Sequence, residues 1–537
     1  MEAQFAGPVA AVGDTAVAVR IGGGSAAETL GRVRAAAEAV RAAAPPGMTD
    51  VVASPGRVTV AYDPLVVASP DRFREQVAAV IAAVPAAVGC RPVVHEIPVA
   101  YDGPDLAEVC RMHGLERSGF SAAHTEPEYL VEAIGFLPGF GYLSGLPEAL
   151  ATPRRATPRR VVPAGAVGIG GSQTGVYPCA SPGGWNLVGR SNVRLFDVTR
   201  PRPALLAVGD RVKFVAADLP PAGQSMPPLA EAGAAAITVV QPGLFTTIQD
   251  LGRPGHRAAG VPLSGAADRV SLRLANLLVG NPEGAAVIEC TLIGPTLRFE
   301  RDAVVALVGA DFPGFPGGVA TRVPAGAEIM LGHATAGCRG YLAVAGGIDV
   351  APVLGSQSTL VVAGFGGLGG RPLRAGDTLA AGESRGPALR HRPGEPRPRG
   401  PRGPHTLRVI PGDEAEAFGP QAWRRTFRTS SRSDRMGVRL EGEPLAGAAA
   451  FAGMASVAVF PGTVQVPPDG QPIVLLTDGQ TIGGYPVLGQ VIAADLPKVA
   501  QLRPGDDVQL EEVTLAEAHT ALRHQEAGIA VFREAAR

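Results

Sequence analysis

Apolar positions change their spacing along the chain, and the changes outline its elements. In residues 1–92, Ala16–Ile21, Met48–Ala53 and Arg57–Tyr62 read as strands. Ser25-Ala-Ala-Glu28 is a capping box opening a helix to about Ala43, and Ser69-Pro70 sets an N-cap and an N1 proline before a second helix to Val84. This β-α-β-β-α order predicts a ferredoxin-like α/β unit. After His95, Ile97–Ala100 reads as a strand and Asp105–His113 as a short helix. Short apolar runs broken by Gly and Pro then continue to about Phe214, the texture of a β-barrel or sandwich. The same texture returns over Ile237–Gly382, with one helix at Asp268–Val279 stopped by Gly280, and over Leu407–Glu511. Leu515–Ala535 reads as a closing helix.

One pattern recurs three times in the β-rich part. A Pro-Gly turn (Pro163-Ala164-Gly165, Pro324-Ala325-Gly326, Pro461-Gly462) precedes a Gly pair (Gly183-Gly184, Gly346-Gly347, Gly483-Gly484). A Gly-Asp turn closes each copy, at Gly209-Asp210, Gly376-Asp377 and Gly505-Asp506. Self-similarity at near-constant spacing implies one structural unit used repeatedly. The predicted organisation is an α/β domain (1–92), a β-domain (93–216), a linker (217–235), a β-domain (236–383), a Pro/Arg-rich linker (384–404), a β-domain (405–513) and a helix (514–537).

Apolar residues make up 46% of the chain, enough for real cores, yet no apolar run approaches the roughly 20 residues of a membrane span. The N-terminus lacks signal-peptide features, so a cytoplasmic protein is expected. Cys90, Cys110, Cys179, Cys290 and Cys338 are scattered as reduced thiols would be. A net charge of −1 gives no electrostatic case for nucleic acid. Lys213 and Lys498 are the only lysines, which excludes a P-loop and a Met-Lys-Met biotin-attachment site. The histidines form no metal-spaced cluster, and no metal site is expected.

Several segments could carry chemistry. Gly135–Leu143 alternates aromatics and turn formers: Phe136, Pro138 and Phe140 form either a core hairpin or an aromatic wall beside a ligand. Arg154, Arg155, Arg159 and Arg160 suit a phosphate or carboxylate, or are a solvated loop. Gln173, Thr174, Tyr177, Ser181, Trp185 and Arg190 combine neutral hydrogen-bonding groups with glycines, which suits an amide, a urea or a phosphate; a turn-rich barrel rim is the alternative. Gln249, Asp250, Arg253, Ser264 and Asp268 open the second copy, where Asp250 and Arg253 either pair or face a ligand. In the third copy Arg432, Asp434 and Arg435 have an anion-binding composition, or form a solvated loop, followed by Gln465, Asp469 and Gln471. Asp478, Gln480, Thr481 and Tyr485 then echo the Gln-Thr…Tyr-Pro of the first copy. The echo points to a paired site on opposite sides of a cleft, or to a turn inherited by duplication.

Gly135–Phe140, Pro163–Ile169, Gln173–Pro178 and Ser181–Trp185 resemble the B-type component of 5-oxoprolinase, the KipI family. Gln241–Arg253, Arg273–Asn281, Ser431–Gly437 and Gln480–Pro486 resemble its C-type component, the KipA family. The resemblance covers nearly the whole chain and is shared with the carboxyltransferase domain of urea amidolyase (urea carboxylase). It implies a B–C fusion, mainly β, with an α/β N-terminal domain and three cyclophilin-like β-barrels in tandem. It further implies ATP, with Mg as its counter-ion, to activate the lactam of 5-oxo-L-proline, and a LamB/YcsF-type A component of 5-oxoprolinase to complete hydrolysis. Other implied roles are a carboxyltransferase component working on urea or an amide with a separate biotin carrier, and a KipI-like regulator of a sensor kinase. Homo-oligomerisation is left open. Three positions depart from the family pattern: Gln357 and Gly479 stand where Arg is common, and Ser456-Val457-Ala458 lacks an acidic residue. The lost guanidiniums put the substrate's identity in question.

Overall fold

The structure, a computed structural model, describes residues 6–85, 92–220, 235–383, 405–451 and 453–535. Strands dominate it. Strands β1 (Ala6–Val12), β2 (Ala16–Ile21), β3 (Met48–Ser54) and β4 (Arg57–Tyr62) form an antiparallel sheet of order β1-β2-β4-β3. Helices α1 (Ala26–Ala43) and α2 (Pro70–Ala82) share its core with Val17, Val33 and Phe73. Both helices start where the caps predicted: Ser25 and Glu28 form the reciprocal box, and Ser69 accepts from Arg72 N. The unexpected strand is β1, whose Ala/Gly/Pro-rich sequence carries no alternating pattern. It occupies the edge that the last strand of a βαββαβ sheet would take.

The first repeat unit contains β5 (Val94–Val99), α3 (Leu106–His113), α4 (Arg117–Thr125), β6 (Glu128–Ile134), β7 (Gly141–Ser144), β8 (Arg159–Val162), β9 (Ala166–Gly170), β10 (Gln173–Val176), β11 (Ser181–Gly183), β12 (Asn186–Arg190) and β13 (Arg211–Ala216). Its sheet runs β12-β9-β10-β7-β6-β13-β5, and an Ala100–Arg190 bridge joins the two ends. Helix α4 falls within a stretch whose texture reads as purely β. Phe120 and His124 anchor it in the core.

The second unit contains β14 (Ala235–Gln241), β15 (Phe245–Gln249), α5 (Arg269–Leu278), β16 (Val287–Thr291), β17 (Ile293–Phe299), β18 (Ala303–Asp311), β19 (Ala320–Val323), β20 (Glu328–His333), β21 (Ala336–Val344), β22 (Ile348–Asp349) and β23 (Thr378–Ala381). These strands form two five-stranded sheets over one apolar core. The third unit contains β24 (His405–Pro411), β25 (Thr426–Thr429), β26 (Gly437–Glu441), β27 (Val457–Ala458), β28 (Thr463–Gln465), β29 (Ile473–Leu475), β30 (Ile482–Gly483), β31 (Val487–Val491), α6 (Leu496–Gln501) and β32 (Asp507–Glu512). Its barrel closes as β24-β31-β28-β29-β26-β25-β32.

The first and third units share one circular strand order. In each, the first strand lies parallel to the last (β5 with β13, β24 with β32). Each also carries a bulge at the same place, where Val188 and Leu488 are the extra residues. The second unit differs in strand order but keeps the turns. Gly165, Gly326 and Gly462 have φ of +79°, +79° and +93°, and Gly209, Gly376 and Gly505 have +85°, +87° and +92°. A repeated backbone requirement for φ > 0 explains these glycines.

Helix α7 (Leu515–Ala535) straps the units together. His519 reaches Asp14 O (3.1 Å), Gln525 donates to Ala494 O (3.0 Å), and Glu526 accepts from Arg273 (2.7 Å). No helix among the described residues is long and apolar enough to cross a membrane. Of the two composition-read linkers, 221–234 and 384–404 lie outside the described residues. Residues 217–220 are held to the first unit by Ala217 N–Val99 O (2.9 Å) and Arg190 Nη2–Leu219 O (2.6 Å).

Candidate functional site

The pairing of β6 with β7 skips from Val131–Leu143 to Ala133–Tyr142, so Glu132 is the extra residue of a β-bulge, a device that re-aims a side chain. Its carboxylate accepts from Gln173 Nε2 at 3.3 Å. Tyr142, on the strand between them, joins an aromatic cluster. Phe140 lies 5.0 Å from Tyr142, 5.3 Å from Tyr177 and 5.5 Å from Trp185, all edge-on. Phe136, 5.6 Å from Phe140, has φ +66°, a strained conformation for a bulky side chain, within a loop where Gly135 N donates to Phe140 O and Gly139 N to Ala259 O. Pro138 is buried in the same loop. Burial pushes the Tyr177 phenol up to about 12 and raises Tyr142 too, while Arg154 pulls both down.

The third unit supplies the opposite wall. A Cβ on Gly135 would stand 2.6 Å from the Ile482 side chain and 3.0 Å from Thr481 Oγ1, so only glycine allows this approach. Gln480 Nε2 donates to Gln465 Oε1 (3.2 Å), and Gln465 Nε2 to Tyr485 O (3.3 Å). Tyr485 is exposed, and Tyr142 feels its phenol. Thr481 Oγ1 is buried without a partner. The junction thus gathers three amides and hydroxyls, one carboxylate and an aromatic wall. That set can bind a planar amide and give its proton an acceptor in Glu132.

The Gln-Thr…Tyr-Pro segments do face one junction, but they are not the same turn. Gln173–Val176 is β10, whereas Gln480 precedes β30. Strand β30 pairs with β27 as β11 pairs with β8, which aligns Gly483 with Gly183 and Tyr485 with Trp185.

Other candidates are spent on the fold. Thr174 Oγ1 donates to Gly168 O (3.0 Å) and meets His124 Nε2 (3.1 Å); burial pushes His124 down to about 3, so it is neutral. Arg155 and Arg159 both bind Asp105 Oδ1, at 3.1 and 2.6 Å, and Arg190 binds Asp102 at 2.9 Å. Asp250 and Arg253 are both buried and make no ion pair with each other. Asp250 accepts from Ser356 Oγ (2.6 Å), Gln357 N (2.6 Å) and Ser358 Oγ, whereas Arg253 donates to the Ser358 carbonyl and stacks on Phe365 at 5.1 Å. The 353–359 loop lies between them: it supplies the donors to Asp250 and accepts from Arg253 Nε and Nη2, while Arg253 Nη1 is buried without a partner. Gln249 and Ser264 donate to Thr359 O of the same loop, at 3.2 and 3.1 Å. Burial pushes Arg253 down to about 10.

Arg435 is no anion site either. It is buried with Asp478 (2.8 Å) and Glu289, whose carboxylates outweigh burial and hold it above the ordinary guanidinium value. Asp268 caps α5 through Ser271 N (2.9 Å) and accepts from Gln501 (2.9 Å). Arg432 binds Glu441 (2.9 Å), Asp434 caps Met436 N (2.8 Å), and Asp469 and Gln471 share a turn (3.1 Å). Gln357 donates to Val350 O (2.8 Å). At Gly479 a Cβ would meet Met436 O at 2.8 Å and Leu476 O at 2.9 Å, so this backbone has no room for the arginine common there. A triphosphate needs converging cations or main-chain N–H groups. Arg155, Arg159, Arg190 and Arg435 are held by internal carboxylates.

Sequence reasoning missed Glu132 and Tyr142 as site residues. Only the bulge, a property of strand pairing, turns Glu132 toward Gln173.

Comparison with known proteins agrees with the two-part plan. Residues 8–206 match the family described as carboxyltransferase domain, subdomain C and D, and residues 259–512 that described as carboxyltransferase domain, subdomain A and B. The chain is 40% identical over 300 residues to the 5-oxoprolinase C component of Escherichia coli (strain K12), covering 54% of this chain and 95% of that protein. It is 36% identical over 216 residues to the 5-oxoprolinase B component of Bacillus subtilis (strain 168), covering 38% and 90%. Urea amidolyase of Lachancea kluyveri is 32% identical over 337 residues, 56% of this chain and 18% of that protein. The crystal structure of TTHA0988 matches with a TM-score of 0.80 at 39% identity, over 92% of this chain and 99% of that one. The chain belongs to the family of 5-oxoprolinase B and C components, with a B-type half followed by a C-type half, and it shares the carboxyltransferase domains of that family with urea amidolyase.

Proposed function

We propose that this chain is the B–C component of a cytoplasmic, ATP-dependent 5-oxoprolinase. It binds 5-oxo-L-proline at the junction of the first and third units and readies the lactam for ring opening. Water adds to the carbonyl, the C–N bond breaks and glutamate forms, with ATP hydrolysis driving the step and a LamB/YcsF-type A component completing it. Gln173, Gln480 and Tyr485 orient the amide, the aromatic wall covers the ring, and Glu132 accepts a proton. We read the three repeat units as cyclophilin-like barrels, with the bounds 93–216, 236–383 and 405–513. The observation that carries this reading is that the B-type and C-type halves meet on one chain, Gly135 against Ile482 and Thr481, with Gln173 and Glu132 on one side and Gln465 and Gln480 on the other.

The test is ATP-dependent glutamate release from 5-oxo-L-proline, with and without the LamB/YcsF-type partner. Turnover only with the partner supports the proposal; no turnover with a folded, bound partner defeats it. The second reading, carboxyl transfer to urea or another amide from a separate biotin carrier, is favoured by the carboxyltransferase family matches. It predicts carboxylation of urea in place of glutamate release.

A further inference from the structure

Four arginines crowd residues 154–160, where a loop runs into β8, and the fold treats them differently. Arg155 and Arg159 are locked onto Asp105. Arg154 is exposed and has no acceptor among the described residues. Its main chain is nevertheless clamped on both sides. Asn186 Nδ2 donates to Pro153 O (2.8 Å), and Arg155 N donates to Gly184 O (2.8 Å). The clamp sets the Arg154 backbone opposite Trp185, which packs 5.5 Å from Phe140 in the aromatic cluster, and the Arg154 charge lowers the Tyr142 and Tyr177 phenols. An unpaired guanidinium on an anchored backbone, beside neutral phenols and amides whose one carboxylate, Glu132, is bonded to Gln173, is placed to bind an anionic substituent.

Building on the lactam reading, we propose that Arg154 selects substrates carrying a carboxylate next to the amide over neutral amides of the same size. The planar fork of Arg154 takes the carboxylate, while Gln173 and Gln480 take the amide edge.

Isothermal titration calorimetry with 5-oxo-L-proline and with 2-pyrrolidinone, the same lactam without its carboxylate, tests this on the full chain. The wild type is expected to prefer 5-oxo-L-proline by about tenfold or more. Arg154→Gln should erase that preference with unchanged affinity for 2-pyrrolidinone and unchanged Tm. Arg154→Lys should restore part of it, and Arg160→Gln, nearby in β8, should keep all of it. If Arg154→Gln keeps the preference, or the wild type binds both lactams equally, the assignment to Arg154 falls while the lactam reading stands. If the wild type binds neither, the lactam reading falls and takes this inference with it.

Discussion

Ser181 and Thr481 occupy the same place in two copies of one barrel, each two residues before the second-strand glycine, Gly183 or Gly483. Both hydroxyls are buried without a hydrogen-bond partner. A buried, unpaired hydroxyl costs about 1–3 kcal/mol. Thr481→Val, which keeps the shape, should therefore stabilise the protein by about 1 kcal/mol in urea unfolding. A loss of more than that amount would mean that the hydroxyl is bonded, and would remove it from the groups free to meet a ligand.

Glu132 should matter for activity and little for folding, because its side chain stands on a bulge and makes one long hydrogen bond. Glu132→Gln is expected to lower kcat/KM at least tenfold while leaving the urea midpoint within about 0.5 kcal/mol of wild type. Unchanged kinetics would move the site away from this junction.

Arg435 ties the third unit to the second through Glu289 while holding Asp478 of its own unit. All three are buried, so removing one partner strands the others. Glu289→Gln should cost about 3–5 kcal/mol, read from denaturant unfolding. A cost below about 1 kcal/mol would show that water reaches the pair.

Asp14 sits at the contact of the N-terminal unit with the third unit and α7. Its Oδ2 accepts from Ala493 N (2.8 Å), and its neighbours include His519 and Asp495. Burial raises its carboxyl to about 6. A raised folded-state value means that the folded protein binds the extra proton, so stability is greatest below the unfolded value near 4 and declines as pH rises to about 6. The decline is about 3 kcal/mol at most. Asp14→Asn keeps the acceptor for Ala493 N and should flatten Tm between about pH 4 and 6. An Asn variant with the wild-type slope would assign the dependence to other groups.

Gly479→Arg restores a residue common in the family, yet it should destabilise this chain by about 2 kcal/mol or more, since its Cβ would meet two carbonyl oxygens. Gly479→Ala should already carry most of that cost. A neutral Ala variant would show that the 476–479 turn relaxes readily.

The elements legible in the sequence are those specified within a few residues. Ser25–Glu28 and Ser69-Pro70 start their helices where the capping pattern puts them. The Gly-Asp turns mark three units because each requires a left-handed glycine. Mainly β architecture follows from the same punctuation. Strand β1 escaped notice because its small residues carry no period, and the second unit's strand order differs although its turns match.

The site follows the same division. The sequence determined which residue types were available, but Arg154 and Arg155 are adjacent and identical in kind. Only the tertiary structure leaves one free and commits the other to Asp105, fifty positions away. It likewise spends Asp250, Arg253 and Arg435 inside the fold and turns Glu132 into the junction. Local rules act through the backbone of neighbouring residues. Burial and partnership depend on groups brought together across the units, and those contacts decide which polar side chains remain available to a ligand.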